Sequence, residues 1–475
     1  MNNKNTHTSP WLYQLEQFES KRKSERLERD HETDIAIAGA GIAGVSTAYF
    51  LLTKTNFKVS ILEAYKVAHG ATGHNAGQVT SYFERSFASI AEEFGLPMAV
   101  AGQKMIEDAW LILEEMYQTA QLQMPYARFT GYAGLSSFEQ VKHHMHENEL
   151  RVQGGLQAEQ MYIDESAPFV SEMQVNHPEW EPLYTLVSKE KILSMLESKD
   201  EIYVAMLSHQ KGCINSALFS EHVLAYLART YPDRLSIFEQ TPVDKIVIGD
   251  TSVAISCGLH EVKADKIILC TNGFEGFRIL YAGSLAVDTN FHRSIRGVIG
   301  YMAGYVEGGS KPPIAVSYFF DPDSRNVDPY FYMTRRPFDD VRQLEAADQG
   351  ASATPKNLVC IGGPESELNE KKEYAGTLEY PLDAEDAVGD FIKRTYKVDE
   401  PRYTFQWHGL MGYTENGLRM VGPDIRTDRL LYNLGCNGVG ILPSLAGAHR
   451  IADILLQLPV EPSIFDPRQS PSAPQ

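Results

Sequence analysis

Residues 34–44 read DIAIAGAGIAG, an apolar run that leads into three glycines in the pattern GxGxxG. The run predicts a buried strand, and the apolar residues 42–52 behind the first glycines predict a helix. A second strand is predicted over residues 58–62, directly before Glu63. Together these segments form a βαβ unit of about 30 residues, the context in which this glycine pattern binds a dinucleotide.

Each glycine of this loop has its own physical task. Gly39 permits the tight turn, Gly41 lets the backbone approach a pyrophosphate, and Gly44 lets helix and strand pack closely. The helix N-terminus adds N–H donors and a partial positive charge. Glu63 can accept both hydroxyls of a ribose, whereas a 2′-phosphate would call for a cation there. The pattern predicts a bound dinucleotide that contains ADP; a glycine turn that serves only packing is the alternative.

Composition narrows the class of protein. The chain has 475 residues, 43% hydrophobic and 22% charged, as in soluble globular proteins of two or three domains. Its formal net charge of −19 argues against nucleic acid or an anionic membrane surface as the main partner. We expect no transmembrane segment and no secretion signal, because no apolar run is long enough and the N-terminus is polar.

Cysteine usage points to a reducing compartment. The chain has 5 cysteines, an odd number, and none of them form a CxxC pair. This pattern favours neither a disulfide framework nor a thiolate metal site. We therefore expect free thiols and a cytoplasmic protein.

Further segments follow in a fixed order along the chain. They read GATGHNAGQ (70–78), TPV (241–243), IILCTNG (267–273), WHGLMGYTENG (407–417) and LGCNGVGI (434–441). In this order they resemble the loops and strands of the D-amino-acid-oxidase-like (DAO) family of FAD-dependent oxidoreductases, which includes glycine, sarcosine and γ-glutamylputrescine oxidases. Asn416 stands where the family usually has Asp, and Cys436 or Asn437 where most members carry His.

The resemblance implies that the dinucleotide is FAD. With the glycine loop, it assigns the following residues to cofactor binding: Gly39, Gly41, Ile42, Ala43, Gly44, Glu63, Ala64, Ala71, Thr72, His74, Gln78, Val243, Thr271, Asn272, Gly273, Gly409, Gly412, Asn437, Gly438, Val439, Gly440 and Ile441. It also implies that a C-terminal helix, beginning near Pro443 and Ser444, aims its positive end at the flavin, where negative charge develops as hydride arrives. A simple glycine hinge before a core helix is the alternative.

The expected fold class is α/β. It consists of a Rossmann-like FAD-binding domain with an inserted α+β substrate domain built on an antiparallel sheet. The FAD-binding domain is predicted to comprise residues 33–85, 205–290 and 400–458, and the substrate domain residues 86–204 and 291–399. Residues 1–32 are expected to form an N-terminal extension with a helix capped by Ser9, and residues 459–475 a tail.

Most candidate catalytic residues come from the inserted segments. Residues 330–336 read YFYMTRR and resemble the strand on which amino-acid oxidases of the family carry an arginine for the substrate carboxylate. The resemblance assigns this role to Arg335, because the planar guanidinium binds a carboxylate bidentately. Tyr332, with Tyr330 on the same strand face, and His408 are the other candidates, and His292 is a further one. An ion-paired arginine, core tyrosines and structural histidines are the alternatives.

The expected activity is oxidation of a C–N bond of an amine or amino acid. Hydride passes to flavin N5, the imine is then hydrolysed, and O2 or another acceptor reoxidises the flavin. The alternatives are a 2-hydroxy acid or alcohol dehydrogenase of the same fold, and a non-catalytic flavin-bearing subunit. No metal is expected, because the histidines in residues 142–147 occupy a polar, solvated helix face.

The sequence allows two modes of flavin attachment. No cysteine tether is available at Met411 and Gly412, where sarcosine oxidases carry one. A branch of the family instead attaches FAD through a histidine in the second glycine-rich loop, and alignment on that loop places His74 there. A covalent link through His74 and a non-covalent contact are both consistent with the sequence.

Overall fold

Strands and helices alternate along the chain much as the sequence predicts. The computed structural model describes residues 5–6, 8–18, 22–23, 25–274, 276–282, 295–309, 311–320, 330–338, 356–368, 374–399 and 401–467. In chain order the strands are β1 (Asn5–Thr6), β2 (His31–Ala38), β3 (Val59–Leu62), β4 (Gln78–Thr80), β5 (Tyr126–Leu135), β6 (Met161–Asp164), β7 (Tyr184–Val187), β8 (Ala205–Ile214), β9 (Leu235–Phe238), β10 (Lys245–Ile248), β11 (Val253–Cys257), β12 (His260–Leu269), β13 (Arg278–Tyr281), β14 (Arg296–Gly308), β15 (Ile314–Phe319), β16 (Phe331–Pro337), β17 (Lys356–Glu367), β18 (Phe405–Tyr413), β19 (Met420–Pro423) and β20 (Leu430–Leu434).

The helices are α1 (Pro10–Gln17), α2 (Ile42–Lys54), α3 (Phe87–Phe94), α4 (Leu96–Thr119), α5 (Phe138–Gln153), α6 (Val170–Asn176), α7 (Lys189–Met195), α8 (Ser216–Thr230), α9 (Leu382–Tyr396) and α10 (Ile441–Leu455). Short 3-10 turns occupy Ala71–Gly73 and Pro178–Leu183.

The first sheet contains the predicted βαβ unit. β2 pairs in parallel with β3 on one side and with β12 on the other. β9 extends the parallel sheet beyond β3, and β20 extends it beyond β12. Helix α2 follows directly after the glycine loop and packs against α10. A parallel sheet with this loop at the carboxyl end of its first strand is a Rossmann-like domain.

The second sheet runs in the order β1-β18-β14-β17-β16-β15-β5-β8-β6-β7, with β4 paired to β8. Most neighbours are antiparallel; β1–β18, β15–β5 and β6–β7 are parallel. The predicted fold class is confirmed: a Rossmann-like domain is joined to a second domain built on a largely antiparallel sheet.

The sheets divide the chain differently from the predicted boundaries. β4, β8 and β18 lie in segments predicted for the FAD-binding domain, yet all three belong to the second sheet. Hydrophobic alternation shows that these segments are strands, but it does not show which sheet completes their hydrogen bonds.

The described parts of the predicted N-terminal extension and tail pack into the fold. Ser9 caps α1 as predicted, and Trp11 on that helix is fully buried. The Trp11 indole N–H donates to the carbonyl of Asn75 in the second glycine-rich loop. Near the other end, Phe465 is 2% exposed and its carbonyl accepts the N–H of Val421. Residues 468–475 lie outside the described residues.

Candidate functional site

A cavity of about 1810 Å³ lies between the two sheets. Its wall includes the glycine loop of the first sheet, Tyr332 on β16 of the second sheet, and Tyr330 directly before β16. Pockets for small ligands commonly measure about 300–1,000 Å³. The cavity therefore has room for a dinucleotide together with a small substrate.

The glycine loop is shaped as the sequence predicts. Gly39 has φ +101°, and a Cβ there would lie 2.7 Å from the carbonyl oxygen of Cys270. A Cβ on Gly44 would lie 1.9 Å from the carbonyl oxygen of Gly39. Gly41 precedes the first residue of α2 and faces Thr72, whose hydroxyl accepts the Ile42 N–H at 2.9 Å. Side chains at the first and third glycines would break the turn and separate helix from strand.

Glu63 lies at the tip of β3, on the cavity wall. Its Oε2 accepts the Ala40 N–H at 2.8 Å and its Oε1 accepts the Tyr65 N–H at 2.9 Å. Burial raises the pKa of Glu63, while these two hydrogen bonds act in the opposite direction. Each carboxylate oxygen can accept a second hydrogen bond, so both ribose hydroxyls can still be bound.

The second glycine-rich loop forms the adjoining wall through Ala71, Thr72, His74 and Gln78. The His74 Nδ1–H donates to the Gly70 carbonyl at 2.9 Å, and burial lowers the pKa of His74, so the imidazole is neutral with Nε2 as an acceptor. The Gln78 amide donates to the Thr334 hydroxyl at 2.9 Å and thereby links this loop to β16.

The C-terminal loop closes the cavity from the other side. Asn437 adopts φ +46°, and its Oδ1 accepts the Thr414 N–H at 2.8 Å. Helix α10 begins at Ile441, earlier than the predicted start near Ser444, and its N-cap Gly440 supplies no side-chain acceptor. Because Gly440, Ile441 and Ser444 line the cavity, the positive end of α10 faces it.

The structure brings most of the predicted cofactor residues to this one wall. Three of them lie behind it instead. Gly44 packs on Gly39, a Cβ on Gly273 would lie 2.6 Å from Ile295, and a Cβ on Gly412 would lie 2.1 Å from the carbonyl oxygen of Asn272. These three glycines shape the wall without lining it. The wall includes the other members of the set: Gly39, Gly41, Ile42, Ala43, Glu63, Ala64, Ala71, Thr72, His74, Gln78, Val243, Thr271, Asn272, Gly409, Asn437, Gly438, Val439, Gly440 and Ile441.

Arg335 does not line the cavity. Tyr332, three residues earlier on β16, lines the wall, whereas the Arg335 guanidinium contacts both carboxylate oxygens of Glu197 at 2.6 and 2.7 Å. Its Nε donates to the Pro312 carbonyl at 3.1 Å. The predicted contact with a substrate carboxylate is therefore corrected: Arg335 is the ion-paired arginine that the sequence left as an alternative.

His408 does not line the cavity either. Its Nε2–H donates to the Leu378 carbonyl at 3.0 Å, which leaves Nδ1 to accept the Tyr374 hydroxyl at 3.0 Å. With 3% exposure it is a structural histidine. Tyr332 lies on the wall as predicted, and burial raises its pKa. The candidate His292 lies outside the described residues.

Sequence reasoning missed Arg419, a buried cation on the wall. Its guanidinium donates to the Asn433 side chain at 2.6 Å and to the Asn433 carbonyl at 2.9 Å. Burial lowers the pKa of Arg419 to about 10, and within the described part of the chain no carboxylate pairs with it. The only signal in the sequence is a charge inside the otherwise apolar residues 418–421. Buried charges usually have a partner, so an anion in the cavity would complete the site.

The sequence also gave no role to Glu84 and Lys211, which lie near the tyrosines. Glu84 lines the cavity, and its Oε1 accepts the Tyr330 hydroxyl at 3.0 Å. Lys211 is fully buried on β8. Neither position belongs to a motif, so neither residue could be recognised from the sequence alone.

The donor set fits FAD. The pyrophosphate requires N–H donors and positive charge, which the N-terminus of α2 and the Arg419 guanidinium supply at the wall. Glu63 supplies the acceptor for the ribose hydroxyls. In the ranges that the structure describes, no three His, Cys, Asp or Glu side chains converge to hold a metal. Among the same residues, none of the helices combines the length and hydropathy that crossing a membrane demands.

The family follows from comparison with known proteins. The model of the DAO family, described as FAD dependent oxidoreductase, matches residues 34–454. The chain belongs to this family, and FAD is its cofactor.

Curated relatives match over part of their length. A Bacillus subtilis protein, YhfW, whose assigned name is that of a Rieske 2Fe-2S iron-sulfur protein, is 24% identical over 297 residues, 62% of this chain and 50% of that protein. The γ-glutamylputrescine oxidoreductase of Escherichia coli is 32% identical over 84 residues, 18% of this chain and 20% of that protein. The chain thus spans half or less of these relatives.

Solved structures agree on the fold. Glycine oxidase from Geobacillus kaustophilus superposes with a TM-score of 0.64 at 16% identity, covering 92% of this chain and 98% of that one. L-α-glycerophosphate oxidase from Mycoplasma pneumoniae, solved with FAD bound, superposes with a TM-score of 0.60 at 14% identity, covering 90% and 95%.

Proposed function

We propose that this protein oxidises a C–N bond of a small amine or amino acid and that the resulting imine is hydrolysed. The observation that carries the proposal is the continuity of the cavity. One wall holds the groups that suit FAD, and the same space extends to the tyrosine-lined end formed by Tyr82, Tyr330 and Tyr332. A substrate at that end shares the cavity with the cofactor.

The chain's own residues bind the substrate, orient it and shield the reaction from water. Bound FAD supplies a hydride acceptor at N5. The tyrosines and Gln78 position the substrate and exclude water, which accounts for much of the rate once the substrate amine is deprotonated. The positive end of α10 stabilises negative charge that develops at the wall during the reaction.

The charge at the tyrosine-lined end favours an amine. Glu84 places a carboxylate on the wall beside Tyr330, and tyrosine ring faces attract cations. An ammonium group is attracted by this wall, whereas a 2-hydroxy acid has no cation to offset the repulsion between its carboxylate and Glu84. The names of the relatives, γ-glutamylputrescine oxidoreductase and glycine oxidase, are consistent with such a substrate. The electrons then pass to O2 or another acceptor.

Anaerobic bleaching of the bound flavin tests the proposal. The yellow holoenzyme is mixed without O2 with panels of amines, amino acids and 2-hydroxy acids, and the flavin absorbance near 450 nm is followed. We expect at least one amine or amino acid to bleach the flavin. If only hydroxy acids bleach the flavin, the proposal is wrong and the protein is a 2-hydroxy acid or alcohol dehydrogenase. If no compound bleaches the flavin, a non-catalytic flavin-bearing subunit is favoured.

A further inference from the structure

Lys211 reaches from β8 to the edge of the cavity. Its side chain crosses β5 over Gly131, where a Cβ would lie 2.5 Å from Lys211 Cδ. Its Nζ lies 3.0 Å from the hydroxyl oxygen of Ser317 on β15. Lys211 itself is fully buried, but Ser317 lines the cavity. The Ser317 hydroxyl therefore connects the lysine to the space where a substrate binds.

The surroundings of Lys211 suit a neutral amine better than an ammonium. An ammonium carries three donors and needs acceptors for them when buried. Among the described residues, Ser317 Oγ is the one hydrogen-bond partner of Lys211 Nζ, and the Tyr82 ring centroid lies 5.7 Å away. A neutral amine needs fewer partners, and its lone pair can accept the Ser317 O–H.

Two carboxylates act on this lysine from a distance. They belong to Glu84, beside the tyrosines, and Glu159, which is itself paired with His209 at 3.0 Å. Burial lowers the pKa of Lys211 and these charges raise it, with a net value of about 7. Lys211 can thus exchange a proton near neutral pH.

We propose that Ser317 and Lys211 form the proton-accepting pair for the substrate ammonium, with Ser317 touching the substrate and Lys211 acting through it. The proposal rests on the proposed oxidation of an amine. One N–H bond of the ammonium breaks and an O–H bond forms on Ser317, while the original Ser317 O–H bond breaks and an N–H bond forms on Lys211. Two protons move in this relay, the net result is transfer of one proton from the ammonium to Lys211, no electrons are exchanged, and Ser317 ends unchanged.

This transfer supplies what the oxidation needs. An ammonium nitrogen has no lone pair to support departure of hydride from the neighbouring carbon, whereas a neutral amine has one. Simple alkylamines carry pKa values of about 10, so they are almost fully protonated at neutral pH. A base that is neutral at working pH can take this proton as hydride leaves, because the N–H bond is then far more acidic than in the resting ammonium.

The first test is the pH profile of flavin bleaching by an amine that reduces the wild-type holoenzyme. Wild type is expected to reach full rate above pH about 7, following the pKa of Lys211. In Lys211→Met and Ser317→Ala, the pH at which the bleaching rate begins to fall should move up toward the substrate's own pKa. The bleaching rate at pH 7.5 should drop roughly tenfold or more, and the difference from wild type should disappear near pH 10. Lys263→Met, which removes an exposed lysine on β12, is the matched control and should behave as wild type.

A folding defect in Lys211→Met would not produce this pH-dependent loss, because misfolding lowers the bleaching rate at every pH. Superimposable profiles in wild type and both variants would overturn the proposal. So would a shift in Glu84→Gln with none in Lys211→Met, which would make Glu84 the acceptor.

The second test needs no substrate. In holoenzyme labelled with 13C at lysine Cε, the Lys211 signal is assigned by its loss in Lys211→Met. A titration midpoint near pH 7 is expected, and a midpoint above pH about 9.5, close to an ordinary lysine, would refute the proposal. If no amine bleaches the wild-type flavin, amine oxidation fails as the function, and this titration still decides whether Lys211 can accept a proton.

Discussion

Arg335 and Glu197 form a two-pronged ion pair, with Nη1 2.6 Å from Oε2 and Nη2 2.7 Å from Oε1. The arginine is 4% exposed, while its partner lies nearer the surface. The pair ties β16 to the end of α7, on the side of the strand away from the cavity wall. Its role is structural.

Arg335→Leu should therefore lower stability and spare catalysis. Loss of the charged hydrogen bonds is expected to reduce the free energy of unfolding by about 1–2 kcal/mol, a value kept low because Glu197 is partly solvated. Urea denaturation measures this loss, and Glu197→Gln should produce a similar one. The substrate concentration for half-maximal bleaching should change by less than about twofold; a rise of tenfold or more would return Arg335 to the substrate site.

Glu63→Ala should weaken FAD binding. Removal of the ribose acceptor is expected to cost about 1–3 kcal/mol, or roughly 5–150-fold in Kd. Quenching of flavin fluorescence on titration of FAD into the flavin-stripped protein gives the constant. Glu63→Gln preserves the shape and some acceptor capacity and should lose less. An unchanged Kd in the alanine variant would contradict the ribose contact.

Arg419→Met should remove a positive charge from the pyrophosphate site. We expect FAD affinity to fall by roughly tenfold or more, because charged hydrogen bonds contribute about 1.5–3 kcal/mol. ADP and adenosine are each allowed to compete with FAD for the flavin-stripped protein. Because only ADP carries the pyrophosphate charge, the comparison separates the electrostatic contribution of Arg419 from its contribution to packing. Wild type should prefer ADP, and the preference should shrink in Arg419→Met and largely survive in Arg419→Lys. Equal loss for both competitors would assign Arg419 to packing.

Acid precipitation should release the flavin. The His74 Nδ1–H is engaged by the Gly70 carbonyl, and the neutral Nε2 remains as an acceptor on the wall, which suits a non-covalent contact. We expect all flavin absorbance in the supernatant after trichloroacetic acid treatment. A yellow pellet from wild type, with a colourless pellet from His74→Ala, would instead establish a covalent tether.

The parts of the site that depend on local geometry could be predicted from sequence. Gly39 and Gly44 meet because they flank one turn, and a carbonyl 1.9 Å from the missing Cβ explains the third glycine at once. The strand, loop and helix around them follow from the same few residues. Glu63 could be placed because a strand of known length ends there.

Contacts between residues far apart in the sequence could not be predicted. Alternation along β16 places Tyr332 and Arg335 on opposite faces, but nothing in residues 330–336 says which face meets the cavity. The partner that settles the matter, Glu197, is 138 residues away. The structural role of His408 could not be predicted for the same reason, because the groups that hydrogen-bond its two ring nitrogens belong to the distant residues Tyr374 and Leu378. A buried cation such as Arg419 is recognisable only when its surroundings are known.

The spread of the cavity wall along the chain, from Leu12 to Ser444, sets the order of events during biosynthesis. Ribosomes add about 5–20 residues per second, so more than the first 440 residues require roughly 20–90 s. Until then the nascent chain can form the βαβ unit but lacks the start of α10 and the C-terminal loop. FAD therefore meets a complete site only after synthesis has passed Ser444, and the cofactor binds to a chain in which both glycine-rich loops are already present.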